Sequence, residues 1–376
     1  MVTALSRIPT PLAVLAVGAL VVCGSVASAA LADASPAPTF TTFSTPTAAS
    51  NPGQIAAGSD GNLWFVEPGS NSIGRVTPAG AITEFALPTA DAGLFGIAAG
   101  PDGNIWFTEN SADQVGMITP AGAITEYPLT ANAGPEGIAA GADGNLWIAE
   151  FGLGDIGVVS PAGVVLQEYA VGLVHTSPIN VVLGSDDRIW FGLNNTDDIA
   201  AIDTSGTLVE AVTTEPVFYL AEGADGNVWF SGATSNHDGG TVTPAGVVTN
   251  LPAVDALFSM TAGPDGDIWG DDAVNGKIDE VDPTGNVVAS YLYSPAIATG
   301  SLSYLAEGSD GNIWFTLGDH QVGVLNLHPT AAPTPTLPST GVGPGSWIAG
   351  AAGLGALVVG ILAVLLASWR RPRRIS

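Results

Sequence analysis

The chain has 376 residues, enough for a large core or for two or three domains, yet only 11% are charged while Gly (49) and Pro (27) are plentiful. Short apolar runs set among so many turn residues point to many short strands rather than long helices. Acidic residues outnumber basic ones 35 to 8, a net charge of −27, which repels nucleic acid and anionic membranes and argues against phosphate binding.

In chain order, residues 1–29 read as a signal peptide. Arg7 precedes the apolar run Leu12 to Val22, and Ala27-Ser28-Ala29 offers the small-x-small pattern cut after Ala29. The run is too short to span a bilayer comfortably. Cys23, the only cysteine, lies inside it, so the mature chain is expected to lack disulfides, thiol nucleophiles and Cys-based metal sites. Residues 30–38 form a short leader.

Residues 39–328 repeat one unit seven times. The anchor is Asp-Gly-Asn-x-Trp at Asp60 to Trp64, Asp102 to Trp106, Asp143 to Trp147, Asp225 to Trp229 and Asp310 to Trp314. Degenerate copies run Asp186 to Trp190 and Asp265 to Trp269, and the first aspartates are 39 to 45 residues apart. Gly96 to Ala99 reads as a small, apolar innermost strand. Asp102-Gly103-Asn104 is a hairpin turn, since these residues tolerate positive φ. Ile105 to Thr108 is a second strand with Trp106 as a wedge between sheets, and Val115 to Ile118 is a third. Pro120-Ala121-Gly122 turns into an alternating outer strand, Ala123 to Leu129. Four strands repeated about every forty residues make an all-β, seven-bladed β-propeller of four-stranded blades. The last unit lacks an outer strand, and Thr39 to Pro46 resembles the outer strand Ile82 to Pro88. The N-terminal strand is therefore expected to complete the last blade and close the ring.

Residues 329–336 are a Pro/Thr-rich linker. Residues 337–376 hold Leu337-Pro338-Ser339-Thr340-Gly341, the apolar segment Trp347 to Trp369, and Arg370-Arg371-Pro372-Arg373-Arg374. That segment is long enough to span a bilayer, with the arginines on the cytoplasmic side. The order of motif, span and basic tail resembles the cell-wall anchored proteins of Gram-positive bacteria. The resemblance implies that a sortase cuts between Thr340 and Gly341 and joins Thr340 to peptidoglycan. The protein would be secreted, membrane-spanning before cleavage and wall-anchored after it, its propeller monomeric.

Chain direction puts the Asp-Gly-Asn and Pro-Ala-Gly turns on one face. The loops entering each first strand, and those between second and third strands, lie on the other, variable face, where binding loops are expected. Three residues after the Trp stand Glu67, Glu109 and Glu150, with Asp272 in the sixth unit. These carboxylates read as an acidic rim, with Mg²⁺ or Ca²⁺ as the metal such oxygen ligands suit. A general base near neutral pH falls on His175 or His237. The Asp-Gly-Asn turns lack the further oxygen ligands of a calcium loop.

The phrases Gly100-Pro101-Asp102-Gly103-Asn104-Ile105-Trp106-Phe107-Thr108-Glu109 and Ile124-Thr125-Glu126-Tyr127-Pro128-Leu129 resemble the virginiamycin B lyase (streptogramin lyase) family over residues 39 to about 327. The resemblance implies a seven-bladed fold and Mg²⁺-assisted elimination at the ester of cyclic streptogramin B antibiotics, with a histidine base beside metal-binding carboxylates. In that family a histidine lies close behind the Trp-Phe-x-Glu of a late blade. The late copies here read Trp229-Phe230-Ser231-Gly232, Trp269-Gly270-Asp271-Asp272 and Trp314-Phe315-Thr316-Leu317. The first functional reading is therefore a binding module on the acidic variable face, its ligand unnamed by the sequence. The second is a metal-assisted lyase acting on a cyclic peptide lactone.

Overall fold

The computed structural model describes residues 37–171, 177–194, 198–212, 217–232, 239–252, 254, 257–293, 302–318 and 320–328. A separate unit, Thr330–Ser376, falls outside them, as do the segments expected to be signal peptide, linker and sorting motif. No helix among the described residues is long and apolar enough to cross a membrane.

Twenty-eight strands among the described residues form seven four-stranded antiparallel sheets. Six are consecutive in sequence. The seventh joins Thr39–Ser44 to Gln321–Asn326, with Phe40 opposite Leu325 and Phe43 opposite Val322. First strands of successive blades pack side by side around the whole ring, last against first included. This is the seven-bladed β-propeller expected, closed by its own N-terminal strand.

Blade 2 shows how the residues dictate the unit: its strands are Leu94–Ala99, Ile105–Glu109, Gln114–Ile118 and Ile124–Pro128. Gly103 takes φ +81° in the first turn. Asp102 Oδ1 accepts from Asn104 N at 3.1 Å and Trp106 Nε1 at 3.2 Å, and Oδ2 accepts from Asn104 Nδ2 at 2.7 Å. The Trp-to-Asp bond recurs in all seven blades. The repeated aspartate is thus consumed by its own turn and by the indole it orients.

Each of the seven tryptophans is at most 1% exposed and wedges into the next blade. Trp64 packs with Ile97 and Phe107, and burial of an aromatic this size is worth about 1.5–3 kcal/mol. Outer-strand aromatics cover the wedges: Phe85 stacks on Trp64 at 5.6 Å, Tyr127 on Trp106 at 5.6 Å and Phe43 on Trp314 at 5.9 Å. The same aromatics lie against the second turn of the following blade. At Gly80 (φ +84°) a Cβ would fall inside the Phe43 ring.

Polar clamps bridge the seams. Thr47 donates N–H and hydroxyl to Glu84 at 2.8 and 2.6 Å, and Thr89 does the same to Glu126 at 3.0 and 2.8 Å. The Thr130 hydroxyl repeats the contact on Glu168. Ser59 donates to the Gly103 carbonyl at 2.7 Å, and Ser309 to that of Gly61 at 2.8 Å across the closure. Short turns and the serine bonds make the turn face regular, while the threonine clamps lie in the loops that enter the first strands on the other face.

Candidate functional site at the channel mouth

Aligning the seven units on their tryptophans resolves the central channel into layers. Nine residues before each Trp stands an apolar side chain: Ile55, Ile97, Ile138, Val181, Leu220, Met260 and Leu305. Each pairs with the residue that follows its own blade's Trp, as Ile97 does with Phe107 and Leu305 with Phe315. One residue earlier, a step toward the variable face, the copies read Gln54, Gly96, Gly137, Asn180, Tyr219, Ser259 and Tyr304. Both layers line a cavity of about 150 Å³.

The polar layer is internally bonded. Gln54 of blade 1 donates from Nε2 to Asn180 Oδ1 of blade 4 at 3.2 Å, across the channel, and accepts from Ile97 N at 3.3 Å. Tyr219 and Tyr304 meet edge-on with ring centroids 5.5 Å apart, and burial raises both phenols. Phe258 packs on Tyr219 at 5.3 Å yet stays 41% exposed.

Glu136 stands one step further out, eleven residues before Trp147. Its backbone is pinned: its carbonyl accepts from Thr108 Oγ1 at 2.7 Å, and the same hydroxyl accepts from Gly96 N at 2.7 Å. Its half-buried carboxyl is pushed up to about 7 by desolvation, and it interacts electrostatically with Tyr304 of blade 7. A carboxyl that changes charge near neutrality therefore stands next to Gly137, which lines the cavity. Sequence reading missed Glu136, Gln54, Asn180, Tyr219 and Tyr304. Their signal was the fixed offset from the Trp, visible only once the innermost strand's register is known.

The expected acidic rim is placed differently. Glu67, Glu109 and Glu150 are 0% exposed and Asp272 2%. Each shares a strand face with the residue after the Trp, which packs against the preceding blade, as Phe65 does with Trp314 and Phe107 with Trp64. The four carboxyls therefore lie in four different seams. Burial is the main cause that pushes Glu67 and Glu150 up to about 7 and Glu109 up to about 8. Both carboxyl oxygens of Glu109 and of Glu150 lack a hydrogen-bond partner. Ser50 and Ser70 bond the Glu67 carboxyl. Asp272 holds its own loop, accepting from Asn275 N at 3.0 Å and Nδ2 at 2.7 Å and pairing with Lys277 at 3.4 Å. Its neighbour Asp271, fully buried, accepts from the Tyr293 hydroxyl and is pushed up to about 8 by burial.

His175 and His237 lie outside the described residues, as do Ala29 and Leu337, Pro338, Ser339, Thr340 and Gly341. Among the described residues, the one group of three carboxylates or histidines with ligand atoms within 4.8 Å of one another is Asp265, Asp267 and Glu280. It sits on the turn face, where Asp267 replaces the asparagine of the repeat. The described part of the variable face thus offers no set that fits a Mg²⁺ ion.

Fold and site define a propeller whose chemistry gathers at one mouth of its central channel. The chain belongs to the virginiamycin B lyase family, whose profile matches residues 24–216 and 165–354. It is similar to a streptogramin B lyase structure (29% identity, TM-score 0.71, covering 77% of this chain and 98% of that one). It also resembles virginiamycin B lyase from Staphylococcus aureus (28% identity, TM-score 0.71, 77% and 99% covered). A third structure is a catalytically inactive histidine-to-alanine variant of the Staphylococcus aureus enzyme with quinupristin (27% identity, TM-score 0.70, 77% and 99% covered). A search of curated protein sequences found no significant match.

Proposed function

We propose that this chain is a ligand-binding propeller displayed on the cell wall, which takes a small molecule at the variable-face mouth of its channel. The observation that carries the reading is the layered mouth. Its apolar floor, amide bridge and two tyrosines line a cavity of about 150 Å³, with the perturbed Glu136 carboxyl on the residue before the lining Gly137, the mix of apolar wall and few placed polar groups typical of binding sites. Secretion by residues 1–29, cleavage after Ala29 and sortase joining of Thr340 to peptidoglycan supply the display. The buried seam carboxylates Glu67, Glu109 and Glu150 act in this reading as structural groups.

Family membership favours a second reading, a lyase that opens a cyclic peptide lactone such as streptogramin B, with His175 or His237 as base. Incubating the protein with quinupristin and Mg²⁺ and following ring opening by mass spectrometry separates the two. Saturable binding without a linear product supports the first reading. Turnover lost in His175→Ala or His237→Ala replaces it with the second.

A further inference from the structure

We propose that the channel mouth selects organic cations carrying an aromatic ring, with Glu136 pairing to the ammonium and Phe258 with Tyr219 receiving the ring. This rests on the reading of the mouth as a ligand site and names its ligand class. Four observations converge. The Glu136 backbone is fixed by Thr108, and a Cβ at Gly96 would collide with the Glu136 carbonyl, so the backbone that carries the carboxyl is held in place before a ligand arrives. Among the described residues no hydrogen bond engages that carboxyl, and its interaction with Tyr304 crosses the ring from blade 3 to blade 7.

No described basic residue neutralises it. Arg75 donates to the Pro120 carbonyl at 2.8 Å, Arg188 pairs with Asp186 at 3.3 Å, and Lys277 pairs with Asp279 at 2.6 Å. Third, Phe258 keeps 41% of its surface exposed beside Tyr219, an aromatic surface that attracts both rings and cations. Fourth, a cavity of about 150 Å³ matches one benzene-sized ring. An anion of the same shape would meet an unneutralised carboxylate in a chain with 35 acidic residues.

The test is calorimetric titration of the purified full-length chain at pH 8 with 2-phenylethylamine, 2-phenylethanol and phenylacetate. These probes share a ring and differ in charge. The amine is expected to bind about tenfold or more tightly than the other two. Glu136→Gln should remove that preference, leave alcohol binding unchanged and melt no lower than the parent at pH 8, and Glu136→Asp should retain part of the preference. Phe258→Ala should weaken amine and alcohol alike. Equal binding of amine and alcohol, unaffected by Glu136→Gln, overturns charge selection and leaves the mouth as a ligand site. If none of the probes binds, both the selection and the site reading fall. If Glu136→Gln lowers the melting temperature, Glu136→Asp decides: an amine preference that is reduced but retained in a normally melting Glu136→Asp supports the carboxylate's role, and undiminished preference in Glu136→Gln overturns it.

Discussion

Replacing Glu109 with glutamine should stabilise the propeller in alkaline solution and leave it nearly unchanged in acid. Glu109 is 0% exposed, neither carboxyl oxygen has a hydrogen-bond partner, and the group is pushed from 4.5 up to about 8, by burial first and by the nearby Glu126 second. The folded state therefore binds this proton more tightly than the unfolded chain. Below pH 4 both states are protonated and the group has no effect. Between about 4.5 and 8 the unfolded chain has released the proton and the folded state still holds it, so stability falls as pH rises, by about 1.4 kcal/mol per pH unit. Above pH 8 the loss is complete, on the order of 5 kcal/mol. Glutamine keeps the volume and stays neutral. For a ring of this size the gain at pH 9 corresponds to roughly 8 °C in melting temperature. Circular-dichroism melts of both proteins from pH 4 to 9 read the difference directly, because every other titrating group is shared. If the two curves run parallel over that range, or glutamine is the less stable at pH 9, then Glu109 is ionised and compensated in its seam and the reasoning is refuted.

Deleting residues 37–44 should remove the cover on Trp314 and Phe315, since Phe43 stacks on the first at 5.9 Å and Phe40 meets the second at 5.8 Å. Burial of two phenylalanines is worth about 3–6 kcal/mol, so the melting temperature should fall by roughly 10 °C and the open edge should promote association on gel filtration; an unchanged melt removes the closure argument. Gly80→Ala should cost about 2–4 kcal/mol in urea denaturation, combining a left-handed backbone with a clash against Phe43. Gly144→Ala, at φ +76° with no atom within 4 Å of the added Cβ, should cost only about 1 kcal/mol. Equal losses at the two sites would show that packing against the outer-strand aromatic adds nothing. Asp143→Ala should cost about 1–3 kcal/mol at pH 7, because the carboxylate serves Asn145 twice and Trp147 once. Although partial burial alone would raise it, those bonds together lower its pKa, so the loss should shrink as pH falls below 4; a loss that persists unchanged at pH 2 would assign it to packing.

The blade count, strand order and closure were legible because they rest on local chemistry. Asp-Gly-Asn commits to a turn whatever surrounds it, and Trp four residues on must be buried somewhere. What the wedge tryptophans meet, and which side a neighbouring residue faces, depends on alternation through a strand and on the blade beside it. Glu67, Glu109 and Glu150 show the limit. Their offset from the Trp read as the start of the loop after the second strand, whereas each is the last residue of that strand. Three residues from the Trp is an odd spacing, and strand alternation turns these carboxyls to the face opposite the Trp, toward the preceding blade with Phe65, Phe107 and Ile148 rather than into the channel. A sequence window shows them as charges and therefore as surface; only the register of two sheets shows them as interior acids whose protons are held up to neutral pH or beyond, Glu67 and Glu150 to about 7 and Glu109 to about 8. The mouth was hidden for the complementary reason. Gln54, Asn180, Tyr219 and Tyr304 are unlike one another, so no motif joins them, and the kink in the first strand that turns two successive residues toward the axis is a property of pairing, as between Pro135 and Ile138 against Glu150 and Ile148. Seven copies conserve the scaffold that the packing demands, and the positions free to differ are those that the ring brings together at its axis. The repeat thus encodes the fold, while the binding surface is written in the departures from it.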